Sequence, residues 1–193
     1  IHPDINLNKE EMLLLERAGD VLAWYKLLYM EEKIEEWLVL FLVVIDQLTD
    51  VDASKMEKRF TIAGKHRVNI LGTRGAAIKA LNILQMKKVL KNSAVYKLLK
   101  PVPMEDILYI MAKTKSDNTK KVISNFITHL KDCKAILNGN DLKRLGIPEG
   151  HIYSRILNAL LDKRLDEEIK TRTDEEKAVK EVISKNKNIM ASK

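Results

Sequence analysis

Only 7 glycines and 4 prolines interrupt 193 residues, so the chain has few places to turn. Most of its length is Leu, Ile, Lys, Glu and Ala, residues that lose little on entering a helix. Where punctuation does occur, the segments between recur at helical spacing. Asn8 stands ready to cap a helix running to about Met30, with Glu11 placed three residues on to close a capping box. Behind that cap, Leu14, Ala18, Val21, Leu22, Tyr25, Leu28 and Tyr29 give one apolar face. A second helix is expected over about Ile34–Leu48. Its LVLFLVVI run fits a buried strand on periodicity alone, and only the helical neighbours tip it to a buried helix.

Further helices are expected at Ser54–Phe60, about Lys65–Leu90, Ser93–Leu99, Pro103–Lys113, Asn118–Cys133, Asp141–Leu145, His151–Leu165 and Thr173–Lys187. Gly72 and Gly75 fall inside the second of these at about 1 kcal/mol each against alanine, which suggests a kink or a close helix contact. Thr173, with Glu176 three residues on, reads as the cap of the last helix. The fold class is therefore all-α, a multi-helical array of about nine or ten helices with a helix-turn-helix-like hairpin near the end. Asn138 is the best candidate for a boundary, and the last residues, from Asn186, are expected to fray.

Charge is distributed unevenly. Residues 1–50 hold 4 basic and 11 acidic side chains, whereas Lys55–Lys100 holds 12 basic and one acid, Glu57. Solvated faces usually alternate sign. A one-signed stretch of this length is the footprint of a polyanion partner. Arg67 and Arg74, seven apart, can share a helix face with Lys88, and Lys65, Lys79, Lys87 and Lys91 could widen it. Such residues bind phosphates with little regard to sequence and with strong salt dependence.

Other chemistries find no residues to carry them. The four histidines are scattered without ligand spacing, so no metal site is expected. Asp50-Val51-Asp52 has the spacing of a carboxylate pair that could hold catalytic metal ions. It follows a helix and lacks neighbouring glycines, and so reads as a helix cap or turn. A single cysteine, Cys133, fits a half-buried thiol and a reducing cytoplasm. The longest apolar run, Trp37–Ile45, is too short to cross a bilayer.

The segment Gly139–Leu161 carries the most specific pattern. Gly139, Asp141, Leu142, Leu145 and Gly146 precede a turn containing Pro148 and Gly150, and a helix with Ile156, Leu157, Leu160 and Leu161 follows. Backbone N–H groups at the start of that helix favour phosphate, with Lys143, Arg144 and Arg155 nearby. The plain alternative is a helix C-cap with Gly146 left-handed and Asp141 as a helix-start cap.

This pattern resembles the tail of the class II nucleotidyltransferases, the CCA-adding and A-adding tRNA enzymes and their poly(A) polymerase relatives. Ile1-His2-Pro3, Leu22-Ala23-Trp24-Tyr25 and Glu36-Trp37-Leu38 resemble the end of that family's neck and the start of its body. The sequence departs from the family tail at Glu149, His151 and Ser154. Glu105-Asp106 begins a string like the family's base-template element, but Tyr109 occupies the arginine position. The resemblance implies three parts: 1–50, the end of the neck; 51–135, a basic helical RNA-binding body; and 136–193, a tail made of the hairpin and a C-terminal helix. It also implies a piece of a longer enzyme, catalytically inert in itself and binding no cofactor. Mg²⁺ and ATP or CTP would belong to an upstream catalytic head. The implied partner is tRNA or another structured RNA, held by Lys65, Arg67, Arg74, Lys79, Lys143, Arg144, Gly150 and Arg155. No membrane is implied, and a homodimer is possible. The competing expectation is a helical interaction or dimerisation module that uses the acidic N-terminal part and the LVLFLVVI run. A DNA-binding helical hairpin is a third.

Overall fold

The structure is a computed structural model that describes residues 8–49, 51–53, 55, 70–86 and 89–190, with the side chains of 70, 71 and 182–190 outside that description. The described residues form nine α-helices and one π-helical turn, with no strand. The helices are α1 (Lys9–Leu27), α2 (Glu36–Val44), α3 (Ile70–Met86), α4 (Asn92–Leu99), α5 (Met104–Lys113), α6 (Asp117–Asn125), α7 (Gly139–Arg144), α8 (His151–Leu165) and α9 (Arg172–Met190). The π-helical turn, Phe126–Leu130, continues from α6. None of the helices among the described residues is long and apolar enough to cross a membrane. The chain divides into two compact units, one of residues 1–90 and 97–128, the other of 91–96 and 129–193.

In the first unit α1, α2, α3 and α6 all pack against α5. Eight of the ten residues of α5 are buried, including Ile107, Leu108, Tyr109 and Ile110. The LVLFLVVI run is helical, and Leu38, Val39, Leu42, Val43 and Ile45 lie inside. Each such side chain contributes roughly 1.5–3 kcal/mol by leaving water. Helix α1 starts where the sequence says, with the Asn8 side chain accepting from Glu10 N and Glu11 N, and Glu11 returning the bond to Asn8 N. Asp52 accepts from the Thr49 hydroxyl at 2.7 Å and donates its N–H back to it at 3.2 Å. That is a cap at the entry to the helical residues 51–53, as expected of this carboxylate.

Three details differ from expectation. Helix α3 is continuous, and a Cβ added at Gly75 would meet nothing within 4 Å, so no close helix contact explains that glycine. Helix α6 gives way after Asn125 to the π-helical turn, where the Thr128 hydroxyl donates to the Ser124 carbonyl at 2.8 Å, a bond that competes with the regular ladder. Helix α9 is capped by Thr171, not Thr173. Asp174 N donates to the Thr171 hydroxyl and Thr171 N to the Asp174 carboxylate, two residues earlier than the sequence suggests. The expected helix at Ser54–Phe60 falls almost wholly outside the described residues.

The second unit closes around Leu137, Leu142, Ile147, Ile156, Leu160, Ile169, Ala178 and Val179. Its charged interior is organised by Glu175, which is fully buried and accepts from Ile136 N at 3.0 Å and Leu137 N at 2.8 Å. Arg164 reaches the same carboxylate at 3.3 Å. Asp166 accepts from both the N–H and the hydroxyl of Ser93 at 2.9 Å, which ties the first turn of α4 to the end of α8. Lys91 pairs with Glu168 at 3.2 Å and with Asp166 at 3.5 Å.

Candidate nucleic-acid interface

The hairpin at Gly139–Leu161 is fixed by contacts closed within a few residues. Helix α7 is opened by Asn138, which accepts from Asn140 N and Asp141 N, while Asp141 closes the box on Asn138 N. Asp141 is thus the third-position partner of the cap rather than the cap itself. The helix ends in a Schellman motif. Gly146 takes φ +79°, its N–H reaches the Lys143 carbonyl at 3.0 Å, and Ile147 N reaches the Leu142 carbonyl at 3.2 Å. Leu142 and Ile147, the apolar pair of that motif, are both buried. The Tyr153 hydroxyl donates to the Ile147 carbonyl at 3.0 Å and pins the turn to α8, so this tyrosine serves the turn.

Around this turn the charges are partly committed. Lys143 pairs with Glu149 at 2.7 Å on the surface. Arg144 lies 3.8 Å from Asp141, whose other partner, Arg172, is at 2.6 Å. The Arg172 guanidinium, followed by the Asn138 N–H, holds the Asp141 carboxyl below its ordinary range, and the same pair raises Arg172. Arg155 is exposed. Gly150 precedes α8 with φ +150° and no side-chain cap, so the first amides of a fifteen-residue helix are uncapped by any side chain. Ser154 points to solvent, so its bulk over glycine meets no obstacle.

In the first unit the basic residues divide. Lys79 is exposed on α3. Arg74, on the same helix, is only 8% exposed and donates to the carbonyls of Asp46 at 2.8 Å and Leu48 at 3.2 Å. It holds the chain leaving α2, a role that charge counting along the chain does not reveal. Asp46 in turn accepts from Lys113 at 2.6 Å and from the Tyr109 hydroxyl. Burial first, and then Asp46, raises the Tyr109 phenol. Lys65, Arg67, Lys87 and Lys88 lie outside the described residues, so the expected Arg67–Arg74–Lys88 face is not described. Lys91 belongs to the Asp166–Glu168 cluster. Asp106 is buried, which removes it from any base-reading role.

No family model matches the chain. It is 34% identical over 179 residues to the A-adding tRNA nucleotidyltransferase of Geobacter sulfurreducens, a match covering 91% of this chain and 20% of that protein. The fold is similar to that of the Thermotoga maritima CCA-adding enzyme complexed with tRNA, with a TM-score of 0.71 at 19% identity over 94% of this chain and 43% of that one. It is equally similar to an apo form of a CCA-adding enzyme, with a TM-score of 0.73 at 22% identity over 95% of this chain and 42% of that one. The chain belongs to the class II tRNA nucleotidyltransferase family. It spans about one-fifth of the length of its Geobacter relative.

Proposed function

We propose that this chain binds structured RNA, tRNA first among candidates, and positions its 3′ end for nucleotide addition by a catalytic domain that these residues do not contain. The parent would add CCA, A alone or a longer tail from ATP or CTP with Mg²⁺, in a reducing cytoplasm. The observation that carries the reading is the 34% identity to an A-adding tRNA enzyme across nearly the whole chain. Likeness to the fold of a CCA-adding enzyme solved with tRNA supports it. The exposed Lys79, Lys143, Arg144 and Arg155 supply the phosphate contacts in this reading, with Lys65 and Arg67 joining them on sequence grounds. Arg74 contributes by holding the loop after α2. A-form RNA suits such residues, because its deep major groove is closed to side chains and recognition falls to backbone and shape.

Burial of Leu38, Val39, Leu42, Val43 and Ile45 within the LVLFLVVI run weighs against the interaction-module reading, which needs that run on a surface. Charge reversal separates the two. Lys79→Glu with Arg155→Glu should weaken tRNA binding by about tenfold at low salt, through lost counterion release, and leave the sizing profile unchanged. A changed assembly state with intact tRNA affinity would favour the interaction module. That same sizing run tests the possible homodimer.

A further inference from the structure

Three basic side chains stand on the Gly139–Leu161 hairpin, Lys143, Arg144 and Arg155, and they differ in what meets them. Arg155 is exposed and enters no ion pair among the described residues. Arg144 lies 3.8 Å from Asp141, but that carboxylate is buried and committed to Arg172 at 2.6 Å. Of the three, only Lys143 faces an acid that has no other engagement among the described residues. That acid is Glu149, whose carboxylate accepts from Lys143 at 2.7 Å. The two side chains are 69% and 67% exposed, so an incoming anion can reach the pair from solvent.

The turn that brings these two together is closed independently of them. Gly146 is left-handed at φ +79°, Ile147 N reaches the Leu142 carbonyl at 3.2 Å, and the Tyr153 hydroxyl donates to the Ile147 carbonyl at 3.0 Å. Pro148 then fixes its own φ just before Glu149. Lys143 and Glu149 are six residues apart and meet because the backbone places them so, with the fold held by other contacts. An exposed pair of this kind adds little to stability. Its consequence lies in what it does to Lys143. A phosphate arriving at that ammonium meets a carboxylate already there, and two anions on one cation repel at close range.

Resting on the RNA-binding reading, we propose that Glu149 is an intramolecular competitor of RNA phosphate. Its carboxylate occupies Lys143 in the free chain and gives way when RNA binds. Lys143 is then a contact that the RNA must open, whereas Arg155 is open from the start. A site that is competent for only part of the time binds with an affinity reduced by that fraction. The pair is weak enough to be displaced and strong enough to register, since an exposed ion pair is worth up to about 1 kcal/mol. Glu149 therefore sets the affinity of the hairpin for RNA without itself touching the RNA.

The test is a double-mutant cycle on the 193-residue chain, with tRNA affinity measured at one fixed ionic strength of about 100 mM. Glu149→Gln and Lys143→Met are made singly and together. Glu16→Gln, at an exposed α1 acid with no ion pair among the described residues, controls for the change in net charge. All of these positions are exposed or half-exposed, and helical circular dichroism checks that each variant folds. Glu149→Gln should tighten tRNA binding about threefold, and Glu16→Gln by clearly less. In the Lys143→Met background, Glu149→Gln should gain no more than the Glu16→Gln control. A gain of the same size with and without Lys143 is a general charge effect and overturns the competitor, as does no gain at all. Both of those results leave the RNA-binding reading standing. Absence of tRNA binding by the unmodified chain and every variant removes that reading and the competitor with it.

Discussion

Asp106 is 3% exposed, and its Oδ1 lacks a hydrogen-bond partner among the described residues. Burial pushes its carboxyl up to about 7, with a bond from Thr73 opposing and Glu105 adding to the rise. In the unfolded chain the same group loses its proton near 3.8. Between those values the folded state binds one proton more than the unfolded state, so this residue makes stability fall as pH rises from about 4 to about 7. The swing is on the order of 4 kcal/mol at most. Asp106→Asn should therefore raise the melting temperature at pH 8 and raise it by clearly less at pH 5. Melts that shift equally at both values would show that Asp106 titrates normally. Nothing in the sequence marks this residue, since Glu105-Asp106 reads as the acidic first turn of an ordinary helix. Arg74 escaped notice for the same reason. Charge counting places a basic residue at the surface, and only the fold shows that two carbonyls after α2 need a donor there.

At the scale of elements, what could be read were features closed within a few residues. The Asn8–Glu11 box, the span of α8 and left-handed Gly146 are all local, and all were legible. Thr173 and Thr171 offer competing caps to α9, and the choice between them is made at a distance. Starting the helix at Arg172 brings that residue to Asp141 and places Glu175 under the amides of Ile136 and Leu137. Sequence spacing cannot weigh that gain. Gly146 tests the local rule directly. No atom lies within 4 Å of a Cβ added there, so Gly146→Ala should cost only the left-handed conformation, about 1–2 kcal/mol in a urea melt. A cost near zero would mean that the Schellman turn opens without penalty. A cost well above that range would point to packing that the turn does not show.

For the whole molecule, the one-signed run from Lys55 to Lys100 raises the expectation of a polyanion partner, but charge alone does not choose among polyanions. Much of that run, including Lys65 and Arg67, lies outside the described residues; within it Arg74 is engaged inside the protein and Lys91 is paired with Glu168 and Asp166 at the surface. Net charge of +7 would draw duplex DNA and tRNA alike at low salt. Shape is what separates them, because A-form RNA offers a wide, shallow minor groove with 2′-hydroxyls that B-form DNA lacks. If exposed residues such as Lys79 and Arg155 each contact tRNA, both nucleic acids should bind with steep salt slopes at low ionic strength. Only tRNA should survive near 150 mM salt, where tRNA displaces DNA at least about tenfold better than the reverse. Charge reversal at both residues should flatten the tRNA slope by about one unit per lost contact. Equal competition by DNA at every salt concentration would reduce the surface to a general cation, and would leave the RNA reading resting on family membership alone.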